Sequence, residues 1–421
     1  MTPWPAALRV TCRRPVASSA MRTVAVVGAS LAGLRAVEHL RRAGYDERLV
    51  LVGREPHLPY DRPPLSKEFL AGEAEVADIA LRRAPYEELD VELRLGTSAT
   101  GLDATTRVLQ LEDGDSVACD GIVLATGSHP RVLPNTPDLA GIFLLRTLDD
   151  ALALRAELDH GPRIVVIGAG FIGAEVAATC RRRGLAVTVL EALPSPMVRG
   201  LGPTLGDVLA AMHRDHGVDL RCSVTVEAFE GRDRVEAVRL ADGSTIAADV
   251  VLVAVGVAPA TEWLAESGLV IDNGIVCDAT CLAAPGIVAA GDIARWPNPL
   301  FDGELMRLEH WTNATEQGVA AAERLLASDD DAVPFAPVPF VWSDQYDVKI
   351  QVAGHVRGDD DIEVVDGSIE TRRFVAACGR NGRLTGAVAF SRPRPLMQLR
   401  RMIQEQVPFD DAVASFRASE S

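Results

Sequence analysis

Reactive cysteine is missing where two-electron thiol chemistry would need it. The 421-residue chain has seven cysteines (Cys12, Cys119, Cys180, Cys222, Cys277, Cys281 and Cys378), none between positions 52 and 118 and no pair spaced CxxC. Disulfide exchange through a CxxC pair therefore lacks its nucleophile, and an odd, scattered set is no secreted disulfide framework. Cys277 and Cys281 are the one close pair; their four-residue spacing across a strand and a turn reads as structural, and no metal is assigned to them. No stretch approaches the ~20 uninterrupted apolar residues of a membrane span. Cations are also in deficit: 42 Lys and Arg face 59 Asp and Glu, a net charge of −17. Nucleic acid is thereby excluded as a general partner, because a phosphate backbone needs a cationic face. Residues 1–20 carry arginines and prolines without an acid. Their apolar runs are too short for a secretory segment, so a disordered tail or an upstream start ahead of Met21, and a cytoplasmic chain, are expected.

Glycine supplies the positive signal, in two runs about 140 residues apart: VAVVGASLAG at 24–33 and IVVIGAGFIGAE at 164–175. Each is an apolar run, a glycine turn and a helix-compatible stretch, the strand–turn–helix setting of a pyrophosphate site. In the first, Gly28 permits the turn, Gly33 lets helix and strand approach, and Ser30 replaces the middle glycine. The second is complete, with Gly168, Gly170 and Gly173. An ATG (Ala125, Thr126, Gly127) lies between the two runs and a GD (Gly291, Asp292) after them. Two nucleotides held head to head suit a flavin that takes hydride from a nicotinamide.

The pattern predicts one βαβ unit with strands at 24–27 and 48–52 around a helix over 31–42, and a second with strands at 164–167 and 186–190 around a helix over 171–183. Strands are also expected at 235–240 and 250–255. Alternating runs at 348–352, 372–376 and 384–390, with a closing helix near Arg400, predict a C-terminal antiparallel sheet. The fold class is α/β: two Rossmann-like dinucleotide-binding domains of glutathione-reductase type plus a C-terminal α+β domain. The expected boundaries are a tail at 1–20, a discontinuous FAD-binding domain at 21–130 and 257–328, a NAD-binding domain at 131–256, and the C-terminal domain at 329–421.

At the end of the first unit's second strand an acid should hold the adenine ribose. The order is Gly53, Arg54, Glu55, so either Glu55 serves or the ribose is held by the Arg54 backbone and solvent. In the second unit Glu191 closes the strand 18 residues beyond Gly173. A carboxylate there accepts from an unmodified ribose diol and repels a 2′-phosphate, so NADH is expected over NADPH. Gly256 sits where backbone must pass the nicotinamide end of the groove.

The runs EPHLPYDRPPLSK (55–67), ATGSHPR (125–131), LRTLDDA (145–151), AAGDIA (289–294), EHWTNATEQG (309–318) and WSDQYDVKIQVAG (342–354), in this order with the second fingerprint, resemble the oxygenase-coupled ferredoxin reductases over about 21–407. The resemblance implies FAD and NADH as cofactors and a small acidic iron–sulfur ferredoxin as partner, serving a haem monooxygenase or a Rieske oxygenase. It implies Lys67 beside the flavin ring, where an ammonium stabilises the reduced, anionic form, and Glu175 close to the nicotinamide and Lys67. Ala32, Ala99 and Arg146 match FAD contacts, Asp292 the acceptor of the ribityl hydroxyls, and Trp311 the flat neighbour of the isoalloxazine. Arg54 departs from the family's usual acid. From the residues alone, Lys67 could be solvated, Glu175 a helix-start acid and Trp311 a core tryptophan.

With no thiol relay, electrons must leave the flavin directly, which suits a one-electron iron–sulfur acceptor. The competing readings are an NADH oxidase acting on oxygen or quinone, and a nucleotide-responsive flavoprotein like apoptosis-inducing factor. Docking of an acidic ferredoxin would use cations among Lys349, Arg392, Arg394, Arg400, Arg401, Arg295 and Arg307.

Overall fold

A computed structural model of the chain describes residues 21–418; the expected N-terminal tail lies outside the described residues. Strand β1 (Thr23–Val27) is buried on both faces, one under helices and the other under a small antiparallel sheet, as an interior parallel strand must be. It pairs in parallel with β2 (Arg48–Gly53) on one side and β3 (Gly121–Leu124) on the other. With residues 92–95, 287–289 and 282–284 they make a six-stranded sheet. Helix α1 (Leu31–Arg42) turns its apolar side to that sheet.

The second sheet has five parallel strands, with β4 (Ile164–Ile167) between β5 (Val187–Glu191) and Val250–Val253. Helix α2 (Phe171–Arg182) follows β4 and α3 (Val198–Asp215) follows β5. The chain crosses to this sheet and returns through Ser128–Pro130 and Val257–Pro259, which pair antiparallel. Helix α4 (Trp311–Leu326) then packs across α1, where Gly318 allows contact: a Cβ there would lie 2.4 Å from the Ala32 carbonyl oxygen.

The C-terminal sheet begins with β6 (Phe340–Gln345) and has five antiparallel strands. One face carries Pro393–Gln404 and Phe409–Arg417; the other buries Leu201, Leu205, Leu209 and Met212 of α3 against Ile350, Phe374 and Phe390.

Two details differ from the sequence expectation. The strand expected over 250–255 stops at Val253, and Gly256 at φ +97° redirects the chain before it pairs again. The strand at Val235–Leu240 joins a separate three-stranded antiparallel sheet. Its counterpart in the first half is Ala99–Asp103, Val108–Leu111 and Ser116–Ala118, so the internal duplication extends beyond the βαβ units.

Candidate active site

The first helix start is an anion cradle built from backbone. Gly28 has φ +120°, and a Cβ on it would lie 2.1 Å from the Ala125 oxygen; one on Gly33 would lie 1.9 Å from the Gly28 oxygen. Both glycines are therefore steric requirements of β1, α1 and the ATG turn meeting. No side chain caps α1, so its first N–H groups and the positive end of its dipole face the cavity. Ser30 leaves the cap free and accepts from Arg62 Nε at 3.3 Å.

A cavity of about 750 Å³ runs from this cradle to the C-terminal sheet. Ser30, Ala32, Arg54, Glu55, Lys67, Ala99, Ala125, Thr126, Gly127, Arg146, Glu175, Asp292 and Trp311 all line it, together with Gly28. Gly33 is absent from the wall because it faces the strand. Gly168, Gly170, Gly173, Glu191 and Gly256 lie outside this cavity, around the second helix start. That start repeats the first: a Cβ on Gly168 would meet the Ala254 oxygen at 2.4 Å, and one on Gly173 the Gly168 oxygen at 2.0 Å. Gly170 differs, with nothing within 4 Å, so its surface stays open.

At the base of the cavity Asp292 Oδ2 accepts from Arg146 Nη2 at 2.8 Å and Ser128 Oγ at 2.7 Å. Glu55 is held from inside, accepting from Tyr60 at 2.5 Å and from Arg62 at 2.7 Å. Burial pushes its carboxyl up, but the Arg62 guanidinium and the Tyr60 hydroxyl bring it below the usual range. Arg54, by contrast, is exposed at the cavity edge. Glu191 is engaged too: Ala169 N–H donates to Oε2 at 2.8 Å and Leu193 N–H to Oε1 at 2.9 Å, which orients the carboxylate at the end of β5.

Between the two cradles, Lys67 and Glu175 form a buried ion pair, Nζ to Oε2 3.1 Å. The same oxygen accepts from Ser66 Oγ at 2.5 Å, and Oε1 from Ser343 Oγ at 2.7 Å. Lys67 is thus no solvated loop lysine. Trp311 is no core tryptophan: it faces the cavity, donates to Asp61 Oδ1 at 2.7 Å, and meets Trp342 edge-on at 5.9 Å. Two phosphate cradles converging on one buried charge pair make a site for two dinucleotides. Residues 22–318 match the profile described as pyridine nucleotide-disulphide oxidoreductase, and residues 340–418 the one described as reductase C-terminal.

The chain belongs to the pyridine nucleotide-disulphide oxidoreductase family.

Rhodocoxin reductase of Rhodococcus erythropolis is 37% identical, with 92% of this chain and 90% of that protein covered. The ferredoxin--NAD(+) reductase subunit of the benzene 1,2-dioxygenase system of Pseudomonas putida is 35% identical, covering 91% and 93%. Among solved structures, the covalent putidaredoxin reductase–putidaredoxin complex matches with a TM-score of 0.88 at 33% identity, covering 93% and 95%.

This pyridine nucleotide-disulphide oxidoreductase has no thiol on its cavity wall. Its described cysteines are buried or half-buried, and burial pushes Cys119 up to about 11 and Cys180 and Cys281 to about 12. The Cys277 and Cys281 pair is buried in the core without a disulfide.

Of the cations considered for docking, Arg307 is withdrawn into the site, where it donates to the Asp292 carbonyl and pairs with Glu309. Arg295 is tied to Asp272, Lys349 to Asp344, Arg392 to Asp366 and Arg401 to Glu405. Arg394 is exposed, and Arg400 lies 5.3 Å over the Phe340 ring, close to the Trp342 wall.

Sequence reasoning passed over Arg62, Ser66, Ser128, Trp342 and Ser343. Arg62 and Ser66 sit inside the 55–67 run and Ser128 directly after the ATG, so adjacency was the available signal. Trp342 and Ser343 arrive from a different sheet and open the 342–354 run, so the family resemblance was the available signal.

Proposed function

We propose that this chain is an FAD-containing, NADH-dependent reductase that delivers electrons one at a time to a small acidic [2Fe–2S] ferredoxin serving an oxygenase. The observation that carries this is the meeting of two backbone phosphate cradles at the buried Lys67–Glu175 pair, in a cavity wall without a thiol. The first cradle suits FAD: its uncapped N–H groups would hold the diphosphate, Asp292 and Arg146 would hold the ribityl chain, and Trp311 would flank the ring. Bound FAD accepts the two electrons of a hydride and releases them singly. The chain's own part is to bind and orient the two nucleotides, exclude water from the site, and hold the Lys67 side chain against Glu175. The FAD-binding part comprises 21–130 and 257–328, the NAD-binding part 131–256, and the C-terminal domain 329–421. Among the described residues no helix is long and apolar enough to cross a membrane. The unpaired cysteines suit a reducing, cytoplasmic setting.

The deciding experiment is anaerobic. Protein reduced with NADH is mixed with [2Fe–2S] ferredoxins at several salt concentrations. Rapid, salt-sensitive ferredoxin reduction supports the proposal; prompt flavin reduction without transfer to any of them would turn it toward an oxidase.

Two further outcomes are expected. Wild-type protein prefers NADH in kcat/KM, and Glu191→Ala narrows that preference by roughly tenfold, about 1.4 kcal/mol, since the 2′-phosphate is no longer repelled. Equal use of NADPH by the wild type would refute the assignment of Glu191. Charge reversal in Arg400→Glu raises the KM for ferredoxin and flattens its salt dependence; an unchanged KM removes Arg400 from the docking surface.

A further inference from the structure

Glu175 is the end of a hydrogen-bonded file that leaves the cavity and crosses the interior. Ser343 Oγ donates to its Oε1 at 2.7 Å, Gln345 Nε2 donates to Ser343 Oγ at 3.1 Å, and Gln345 Oε1 meets His213 Nε2 at 3.1 Å. His213 Nδ1 meets the Tyr346 hydroxyl at 2.9 Å, and the Tyr346 ring stacks on His216 with centroids 3.6 Å apart. Ser343 and Gln345 are fully buried and His213 nearly so. The file joins three parts of the chain: α2, β6 of the C-terminal sheet, and α3.

Each polarity in the file follows from the previous one. A carboxylate only accepts, so the Ser343 hydroxyl spends its proton on Glu175 and must receive one from the Gln345 amide. That fixes the Gln345 carbonyl toward His213, which must donate from Nε2 and accept at Nδ1. Burial pushes the His213 imidazole down to about 4, so it is neutral at pH 7 and one tautomer satisfies both contacts. Tyr346 closes the file at a price in backbone comfort: it has φ +57° in a two-residue hairpin turn, a conformation a bulky L-residue rarely adopts.

We propose that Ser343, Gln345 and His213 are positioning residues that hold the Glu175 carboxylate aimed at Lys67, through a file of donors all pointing toward it. The file does not move protons, because the Gln345 amide would have to become an imidic acid to pass one on. Its work is directional: α3 and the C-terminal sheet fix the carboxylate that fixes the Lys67 ammonium.

The inference rests on the NADH reductase reading, and the test separates the two. Ser343→Ala, His213→Leu and the double variant are prepared as holoproteins. Anaerobic stopped-flow mixing with NADH gives the limiting flavin reduction rate and the NADH Kd. In parallel, 15N-histidine NMR reads the His213 tautomer without turnover. Ser343→Ala is expected to slow reduction about tenfold, the scale of one lost hydrogen bond to a charge, with NADH Kd little changed. The double variant should be no slower than Ser343→Ala alone, since the file is already cut. His213 should hold the Nε2–H tautomer from about pH 5.5 to 8 in wild type and lose that preference in Ser343→Ala, where Gln345 is free to flip. A wild-type rate in Ser343→Ala, or additive losses in the double variant, or an Nδ1–H tautomer in wild type, each overturns the proposal. If His213→Leu does not fold, Ser343→Ala and the tautomer decide alone. If NADH fails to reduce the wild-type flavin, the reductase reading has failed and the tautomer still decides the file.

Discussion

Glu175→Leu is expected to lower both stability and flavin reduction by NADH. Lys67 and Glu175 are both buried, and Glu175 is the carboxylate within hydrogen-bonding distance of the ammonium. Removing one member of such a pair strands the other in a low-dielectric setting, a loss of about 3–5 kcal/mol. The Ser66 and Ser343 hydroxyls lose their acceptor in the same step. Denaturant titration should register this as a lower midpoint at unchanged m-value. Limiting flavin reduction should fall on the order of a hundredfold, the size expected when a charged group at the reacting edge is lost. The double variant Lys67→Met, Glu175→Leu supplies the control. It should regain much of the stability, since replacing a whole buried pair by apolar groups is close to neutral, yet stay slow. A stable and fast Glu175→Leu protein would remove the pair from both roles.

Gly28→Ala and Gly170→Ala should fail in opposite ways, although both glycines belong to a fingerprint. At Gly28 an added methyl would sit 2.1 Å from the Ala125 oxygen on a backbone at φ +120°. Backbone must move, and a loss of more than about 4 kcal/mol follows. The expected readout is protein without FAD, or no folded protein. At Gly170 the φ is −75° and no atom lies within 4 Å, so alanine fits the protein and folding should change by less than about 1 kcal/mol. The methyl instead stands where a pyrophosphate must approach, so KM for NADH should rise by roughly tenfold or more with FAD content intact. Equal stability losses in the two variants would mean that Gly170 serves the fold alone.

That contrast shows what a sequence can carry. Gly28, Gly33, Gly168 and Gly173 were legible because their requirement is local: each meets backbone within a few residues or across a paired strand. The same holds for the βαβ units, where apolar runs and glycine turns are short-range signals. The Lys67–Glu175 contact spans 108 residues, and spacing said nothing about it; only family resemblance brought the two together. Ser343 and Gln345 lie inside the 342–354 run, but nothing local ties them to Glu175 or to His213, which lies in none of the family runs, because the file joins three separate parts of the chain. Glu55 shows a third limit. Its position after β2 suits a ribose acceptor, and Tyr60 and Arg62 fix the direction of its two oxygens, a preorganisation that side-chain geometry alone reveals.

The paired strands Ser128–Pro130 and Val257–Pro259 place the entrance and exit of the second parallel sheet side by side, with Pro130 opposite Val257. Everything threaded between them therefore behaves as a cassette seated in one doorway. Its length can drift at little cost, because the ends are already joined by a ladder and loop closure grows only slowly with size. A recombination event needs just two neighbouring cuts to exchange it. The constraint on a replacement lies elsewhere, on the face where Leu201, Leu205 and Met212 meet the C-terminal sheet. A graft that altered nucleotide preference but kept that apolar face, with His213 beneath Gln345, would inherit a working seat.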